Sequence, residues 1–209
     1  MRARIWTSLR ALPWTSRRGN CIFSWVTSER APAYLHQATR VALRRITHHD
    51  QEEFTGLAKV SAEFHRPWIY MPTTATEFYA YLARFDHGAA EGLLVCICET
   101  GAIAGFINIT EIVRSSYQRG TLGYGVFTSA AGQGYMSEGF ELVFRLAFHD
   151  LKLHRLEADI QPGNSGSLNL VRRLGFRNEG YSPGLVLIKG VWRDHERWAI
   201  TSDIIKTMH

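Results

Sequence analysis

The sequence predicts an α/β protein built on a mixed, mostly antiparallel sheet of six to seven strands with helices on both faces. Three observations carry this. Short runs of alternating or continuous apolar residues recur between segments of helical period, in the order β α α β β β α β α β β. The turn Thr100-Gly101 joins two such runs as an antiparallel hairpin, followed by a third strand. Downstream, strand, helix, strand, helix follow one another, which requires a crossover and therefore a parallel neighbour.

Val41–Ile46 reads as the first strand, and Asp50 is placed to cap a helix carrying Phe54, Leu57 and Ala58, with Glu52 and Glu53 in its first turn. A proline-broken aromatic loop follows, Pro67-Trp68-Ile69-Tyr70 with Pro72, whose rings either plug the core or wall a cleft. Thr76 or Thr74 then caps a second helix with Phe78, Tyr79, Leu82 and Phe85 on its apolar side. Gly92–Glu99 and Ala102–Ile112 form the hairpin, and Thr121–Phe127 the next strand. Arg155–Ile160 alternates as a strand, and Asn164 opens a helix with Leu168, Val171 and Leu174 inward and Gly175 at its end. A turn at Gly180-Tyr181 and the runs Leu185–Lys189 and Trp192–Ile200 add one or two closing strands.

The stretch from Tyr124 to Glu138 concentrates the chemistry. A strand runs into a loop of small residues ending Gly132-Gln133-Gly134, and Met136, Phe140, Val143, Phe144 and Ala147 then recur at helical spacing. Free N–H groups at a helix start, backed by the positive end of the helix dipole, hold a phosphate or pyrophosphate, and glycines let the anion come close. Two familiar phosphate motifs fail. Tyr135-Met136-Ser137 supplies neither the third glycine of a dinucleotide fingerprint nor the Lys-Ser/Thr pair of a Walker A loop.

The 209 residues suffice for one core, and 45% hydrophobic content is that of a globular domain. The net charge of +5 is misleading as a hint of nucleic-acid binding. Residues 1–40 hold seven arginines against Glu29, a balance of +6, so residues 41–209 together carry −1 and present no basic stripe. Residues 1–39 therefore read as a basic, disordered tail preceding a domain at 40–209. Its Arg- and Ser-rich composition also fits an organellar transit peptide, and a start further into the chain is a third reading. No apolar run is long enough to cross a membrane as a helix. Cys96 and Cys98 fall on one face of a strand as small hydrophobes rather than metal ligands, and with Cys21 they make no disulfide framework. No metal site is expected, and the reducing cytoplasm is the expected compartment.

Taken together, the glycine loop after the fourth strand, Asn164-x-x-Ser167-x-x-Leu170-x-x-x-Leu174-Gly175-Phe176, Glu179-Gly180-Tyr181 and Gly190-x-Trp192-Arg193-Asp194-His195 resemble the GNAT superfamily of N-acetyltransferases. Within it they resemble the ribosomal-protein-alanine N-acetyltransferases. The resemblance spans roughly residues 40–200 and implies a GNAT-like sheet and transfer of an acetyl group from acetyl-CoA to a primary amine, by direct attack in a ternary complex. It implies that the pyrophosphate lies on the N–H groups of Ala131, Gly132, Gln133, Gly134 and Tyr135, and that the pantetheine arm runs beside Val126 and Phe127 and meets Asn164 and Ser167.

The chain departs from the family at two places. Ser129 stands where the family has Arg or Gln, and Val171 where many members have an acidic tyrosine. Ser167 is then the candidate to protonate the leaving thiolate. Glu111, at the end of the third long strand, is the candidate base, with Tyr181 positioning the amine; Glu111 also reads as a solvated strand-end carboxylate. Trp68, Tyr70 and Tyr124 are the candidate acceptor contacts. The expected acceptor is a protein N-terminal α-amine, of the ribosomal-protein type; a small amine, or acyl-CoA binding without turnover, are the alternatives. No nucleic acid or membrane partner is expected.

Overall fold

The computed structural model describes residues 33–208, the side chains to 205. The eight strands are β1 (His36–Gln37), β2 (Val41–Arg45), β3 (Glu91–Ile97), β4 (Ile103–Val113), β5 (Arg119–Val126), β6 (Arg155–Ile160), β7 (Arg177–Ile188) and β8 (Val191–Thr201). They form one sheet in the order β1-β2-β3-β4-β5-β6-β8-β7. Every neighbouring pair is antiparallel except β5 with β6. The count exceeds the six to seven expected because β1 lies inside the stretch read as tail, where His36 and Gln37 pair with Leu43 and Ala42. The remaining expectations for the tail, and Cys21, fall on residues 1–32, outside the described residues.

The helices α1 (Gln51–Val60), α2 (Ala62–His65) and α3 (Ala75–Leu82) precede the central strands, whereas α4 (Tyr135–Phe144), α5 (Ser165–Arg173) and α6 (Ser202–Met208) follow β5, β6 and β8. One face of the sheet packs Leu43, Leu93, Ile107, Ile109 and Leu156 against Phe140, Val143 and Phe144 of α4 and Leu168 and Val171 of α5. The other packs Leu94, Cys96, Ile103, Phe106 and Phe127 against Phe54 and Ala58 of α1 and Phe78 of α3. Both faces are covered, as the continuous apolar runs of β3 and β4 require, since successive side chains point to opposite faces.

Local details depart from the sequence reading in instructive ways. Thr74, rather than Thr76, caps α3: its hydroxyl accepts from the Glu77 N–H, and the Glu77 carboxylate reaches back to the Thr74 N–H at 3.2 Å. Asp50 does not cap α1 with its side chain. It accepts from the Thr47 N–H at 2.7 Å and forms a buried two-point ion pair with Arg44, at 2.7 and 2.9 Å. β3 ends at Ile97, so Cys98 sits in the following turn instead of beside the buried Cys96 on one strand face. Gly180-Tyr181 is not a turn. It lies inside β7, where Gly180 pairs with Arg197 and Tyr181 with Glu196 around a register shift.

One irregularity creates the site. β5 and β6 pair only at Arg119–Arg155, Gly120–Leu156 and Thr121–Glu157. Beyond Thr121 the strands splay, while β5 stays bonded to β4 up to Val126 and β6 stays bonded to β8 up to Ile160. The Phe127 N–H bonds the Ala104 carbonyl. By the two-residue alternation of an antiparallel ladder, the polar groups of Tyr124 and Val126 therefore face into the opening.

Candidate active site

A cavity of about 610 Å³ occupies the splay, between β5, the glycine loop, the start of α4 and the start of α5. Gly132 and Gly134 have φ of +75° and +83°, a left-handed conformation in which a side chain is strained. Their turn brings the chain into α4 with Gly134 as N-cap and no capping side chain; the Ser137 N–H already bonds the Gly134 carbonyl at 3.0 Å, so the N–H groups of Tyr135 and Met136 are the ones without an intrahelical acceptor. That is an anion cradle with a ten-residue helix behind it. Ala131 contributes less than its position suggests, since its N–H bonds the Thr128 carbonyl at 3.3 Å. Gln133 does not line the cavity: its side chain donates to the Ser129 carbonyl, and its own carbonyl accepts from Arg40.

Arg40 is the residue that sequence reasoning missed here. From the turn before β2 it reaches across the loop, binds the Glu138 carboxylate with two nitrogens and the Gln133 carbonyl with a third, and lies 5.2 Å over the Tyr135 ring. A cation thus stands beside the loop although Ser129 supplies none. Arg173, in the last turn of α5, lines the cavity wall, which Arg40 does not.

At the inner end of the cavity Asn164 caps α5, its Oδ1 accepting from the Ser167 N–H at 3.2 Å. The acceptor atom is committed, so the amide NH2 is what remains for a carbonyl of a bound arm. Ser167 lines the wall opposite Tyr124. The Tyr124 hydroxyl is buried and makes no well-formed hydrogen bond among the described residues. Burial pushes its pKa up to about 12, against a smaller opposing pull from the Ser167 hydroxyl. It is therefore a proton donor throughout the neutral range.

Trp68 closes the mouth. Its ring packs against Gly163, where an added Cβ would come within 2.8 Å of it, and its carbonyl accepts from Gln161 at 3.4 Å. A residue of the α2–α3 connection thus touches the β6–α5 loop, tying the two sides of the splay together. His65, at the end of α2, is 6% exposed and donates from Nε2 to the Val126 carbonyl at 2.9 Å.

His65 and Ile69 also line a second cavity, of about 430 Å³, on the side of α1 to α3. Tyr70, Glu77, Tyr81, Arg66, Arg84 and Lys189 surround it, with Lys189 4.7 Å over the Tyr70 ring. The two cavities meet at His65.

The sequence-derived residues therefore divide. Val126, Ala131, Gly132, Gly134, Tyr135, Asn164, Ser167, Trp68 and Tyr124 come together around the first cavity, and Tyr70 joins the second. Phe127 is fully buried on the opposite face against Phe54 and Phe106. Glu111 is exposed, accepts from the Thr121 hydroxyl at 3.2 Å, and lines neither cavity. Tyr181 is exposed on β7 with its hydroxyl donated to Asp194, and it too lines neither cavity. Geometry withdraws its support from the Glu111–Tyr181 pairing.

A splayed mixed sheet with a glycine cradle at the helix after the diverging strand defines a GNAT-type acyl-CoA site. Residues 40–177 match the family described as acetyltransferase (GNAT) domain, and the chain belongs to that family. It is an N-acetyltransferase with acetyl-CoA as acyl donor. The probable N-acetyltransferase YjcK of Bacillus subtilis (strain 168) is 40% identical over 161 residues, 72% of this chain and 88% of that protein. The ribosomal protein uS5-alanine N-acetyltransferase of Escherichia coli (strain K12) is 37% identical over 100 residues, 48% of this chain and 52% of that enzyme. Mycobacterium smegmatis RimJ, solved with CoA-disulfide, shares the fold with a TM-score of 0.72 at 24% identity, over 78% of this chain and 82% of that one.

Proposed function

We propose that this enzyme acetylates the N-terminal α-amine of a protein, of the kind its uS5-alanine relative acts on, with the acceptor entering through the second cavity. The observation that carries this reading is the charge of that cavity. Arg84 and Lys189 outnumber Glu77 there, Arg66 being paired with Glu63 at 2.5 Å, and the cavity opens on the surface beside the α2–α3 loop. A polyamine carrying several positive charges is repelled by such a wall, whereas a peptide brings one amine and a chain of carbonyls for cationic donors.

The chemistry asks the protein chiefly for positioning and for control of protons. The glycine cradle, with Arg173 on the same wall, takes the pyrophosphate, while Arg40, paired with Glu138, braces the loop from outside; the Asn164 amide and the open edge of β5 hold the arm extended. This directs the thioester to the inner end, between Ser167, Tyr124 and His65. The amine arriving from the other side attacks the thioester carbon, and the hydroxyls of Ser167 and Tyr124 donate to the departing sulfur. Val171 is buried against the core and takes no part.

The test is mass spectrometry of full-length enzyme incubated with acetyl-CoA and matched substrates: peptides opening with Ala, Ser or Met, and the small amines spermidine and lysine. Acetylation confined to peptide α-amines supports the reading. Preference for spermidine refutes it.

A further inference from the structure

We propose that His65 is the general base of the transfer, accepting the proton of the acceptor amine at Nδ1. The inference rests on the acceptor entering by the second cavity. A carbonyl oxygen only accepts, so Nε2, 2.9 Å from the Val126 carbonyl, must carry the hydrogen. In the neutral ring Nδ1 then presents its lone pair. Nδ1 is buried and has no hydrogen-bond partner among the described residues. Buried polar atoms are rarely left so, and an acceptor of this kind is completed by a donor that the protein itself does not bring.

The surroundings say which donor. His65 is the polar side chain shared by the walls of both cavities. Its ring is fixed at the end of β5, where an added Cβ on Gly125 would lie 3.5 Å from Nε2, by a bond to the strand that borders the first cavity. Fixing one nitrogen on a backbone carbonyl while the other keeps its lone pair is how a histidine base is oriented. The carboxylates offer no such placement. Glu111 lines neither cavity, and Glu77 is engaged by the N–H groups of Thr73 and Thr74 at the cap of α3.

The protons balance. The ammonium N–H bond breaks and an N–H bond forms at Nδ1, directly or through one water. The freed lone pair forms the C–N bond, and the C–S bond breaks with its electrons on sulfur. The second nitrogen proton, lost as the amide forms, passes to the Ser167 or Tyr124 oxygen, which has given its own proton to the thiolate. The His65 imidazolium then releases its proton to solvent, giving amide, CoA and one H⁺.

His65→Gln separates this role from a structural one, because the Gln amide can still donate to Val126 but cannot take a proton. We expect kcat to fall on the order of 10²-fold or more, the usual share of a general base, with CoA affinity changed less than about threefold. Turnover by H65Q within about threefold of wild type overturns the proposal. Imidazole ¹⁵N spectra of the full-length enzyme, with the His65 signals assigned by their loss in H65Q, supply a second readout that needs no activity. A hydrogen on Nε2 and a lone pair on Nδ1 in the CoA complex are expected; a hydrogen on Nδ1 at neutral pH overturns the proposal even if H65Q does not fold. Should the wild type acetylate spermidine and not the peptide, the α-amine reading falls, and H65Q is scored on spermidine instead.

Discussion

Replacing Tyr124 by Phe removes a single oxygen from the wall of the first cavity, and its effects on stability and turnover should have opposite signs. Among the described residues the hydroxyl is buried without a well-formed hydrogen bond, and only the Ser167 hydroxyl is near enough to influence it. Leaving such a group unsatisfied costs about 1–3 kcal/mol, and partial compensation by Ser167 puts the recoverable part near 1–2 kcal/mol. The ring itself stays packed edge-on against Phe140 at 5.0 Å, so no cavity opens. For a domain of this size each kcal/mol shifts Tm by roughly 2–4 °C, so Y124F should melt about 2–8 °C higher in the absence of ligand. Turnover should nevertheless fall about 10- to 100-fold, because Ser167 is left alone to serve the departing sulfur. Differential scanning calorimetry of the free enzyme and steady-state release of CoA thiol measure the two effects on one preparation. A variant that is less stable than wild type shows that the hydroxyl has a partner in the free protein. One that is more stable and equally fast shows that it serves no step of the reaction.

The buried pair Arg44–Asp50 offers a second test. Asp50→Asn leaves the guanidinium without its counter-charge and should lower stability in urea by about 3–5 kcal/mol, whereas the joint replacement Arg44→Met with Asp50→Leu should restore most of it. Gly134→Trp should abolish CoA binding in calorimetry, since the residue holds φ +83° within the cradle and an added Cβ already meets Arg40 at 3.1 Å; retained affinity would move the cofactor elsewhere. Burial raises both Tyr81 and Tyr124 from 10.0 to about 12. Because the folded values lie above the unfolded one, stability should be level below about pH 10 and fall as pH climbs toward 12, by at most about 2.7 kcal/mol for each ring. Urea midpoints that do not move between about pH 9 and 11 would contradict this, and Y124F should show the smaller decline. Glu111→Gln should change kcat by less than about threefold, and a loss on the order of 10²-fold would return the base to that carboxylate.

What the sequence could determine was local. The run from Tyr124 to Glu138 contains its own strand, its left-handed glycines and its helix, so the cradle is legible without knowing any partner. The same holds for Asn164 at the head of α5; for α3 the sequence left Thr74 and Thr76 as alternatives, and the bonds with Glu77 decide for Thr74. The errors arose where a local signal competes with a distant one. Gly180 carries φ +136° and looks like a turn in isolation, but pairing with β8 draws it into a strand. Asp50 is a good capping residue by type, yet the guanidinium of Arg44 on β2 claims its side chain. The residues not foreseen are joined to the site across long stretches of chain: His65 to Val126 over 61 residues, Arg40 to Glu138 over 98. Nothing in the neighbourhood of either marks it, because its role is set by where the sheet opens. That opening follows from the register of β6, which remains paired with β8 while β5 remains paired with β4. Period and propensity fix which segments become strands; only the competition between those two ladders decides where neighbours part, and so where the donor and the amine can meet.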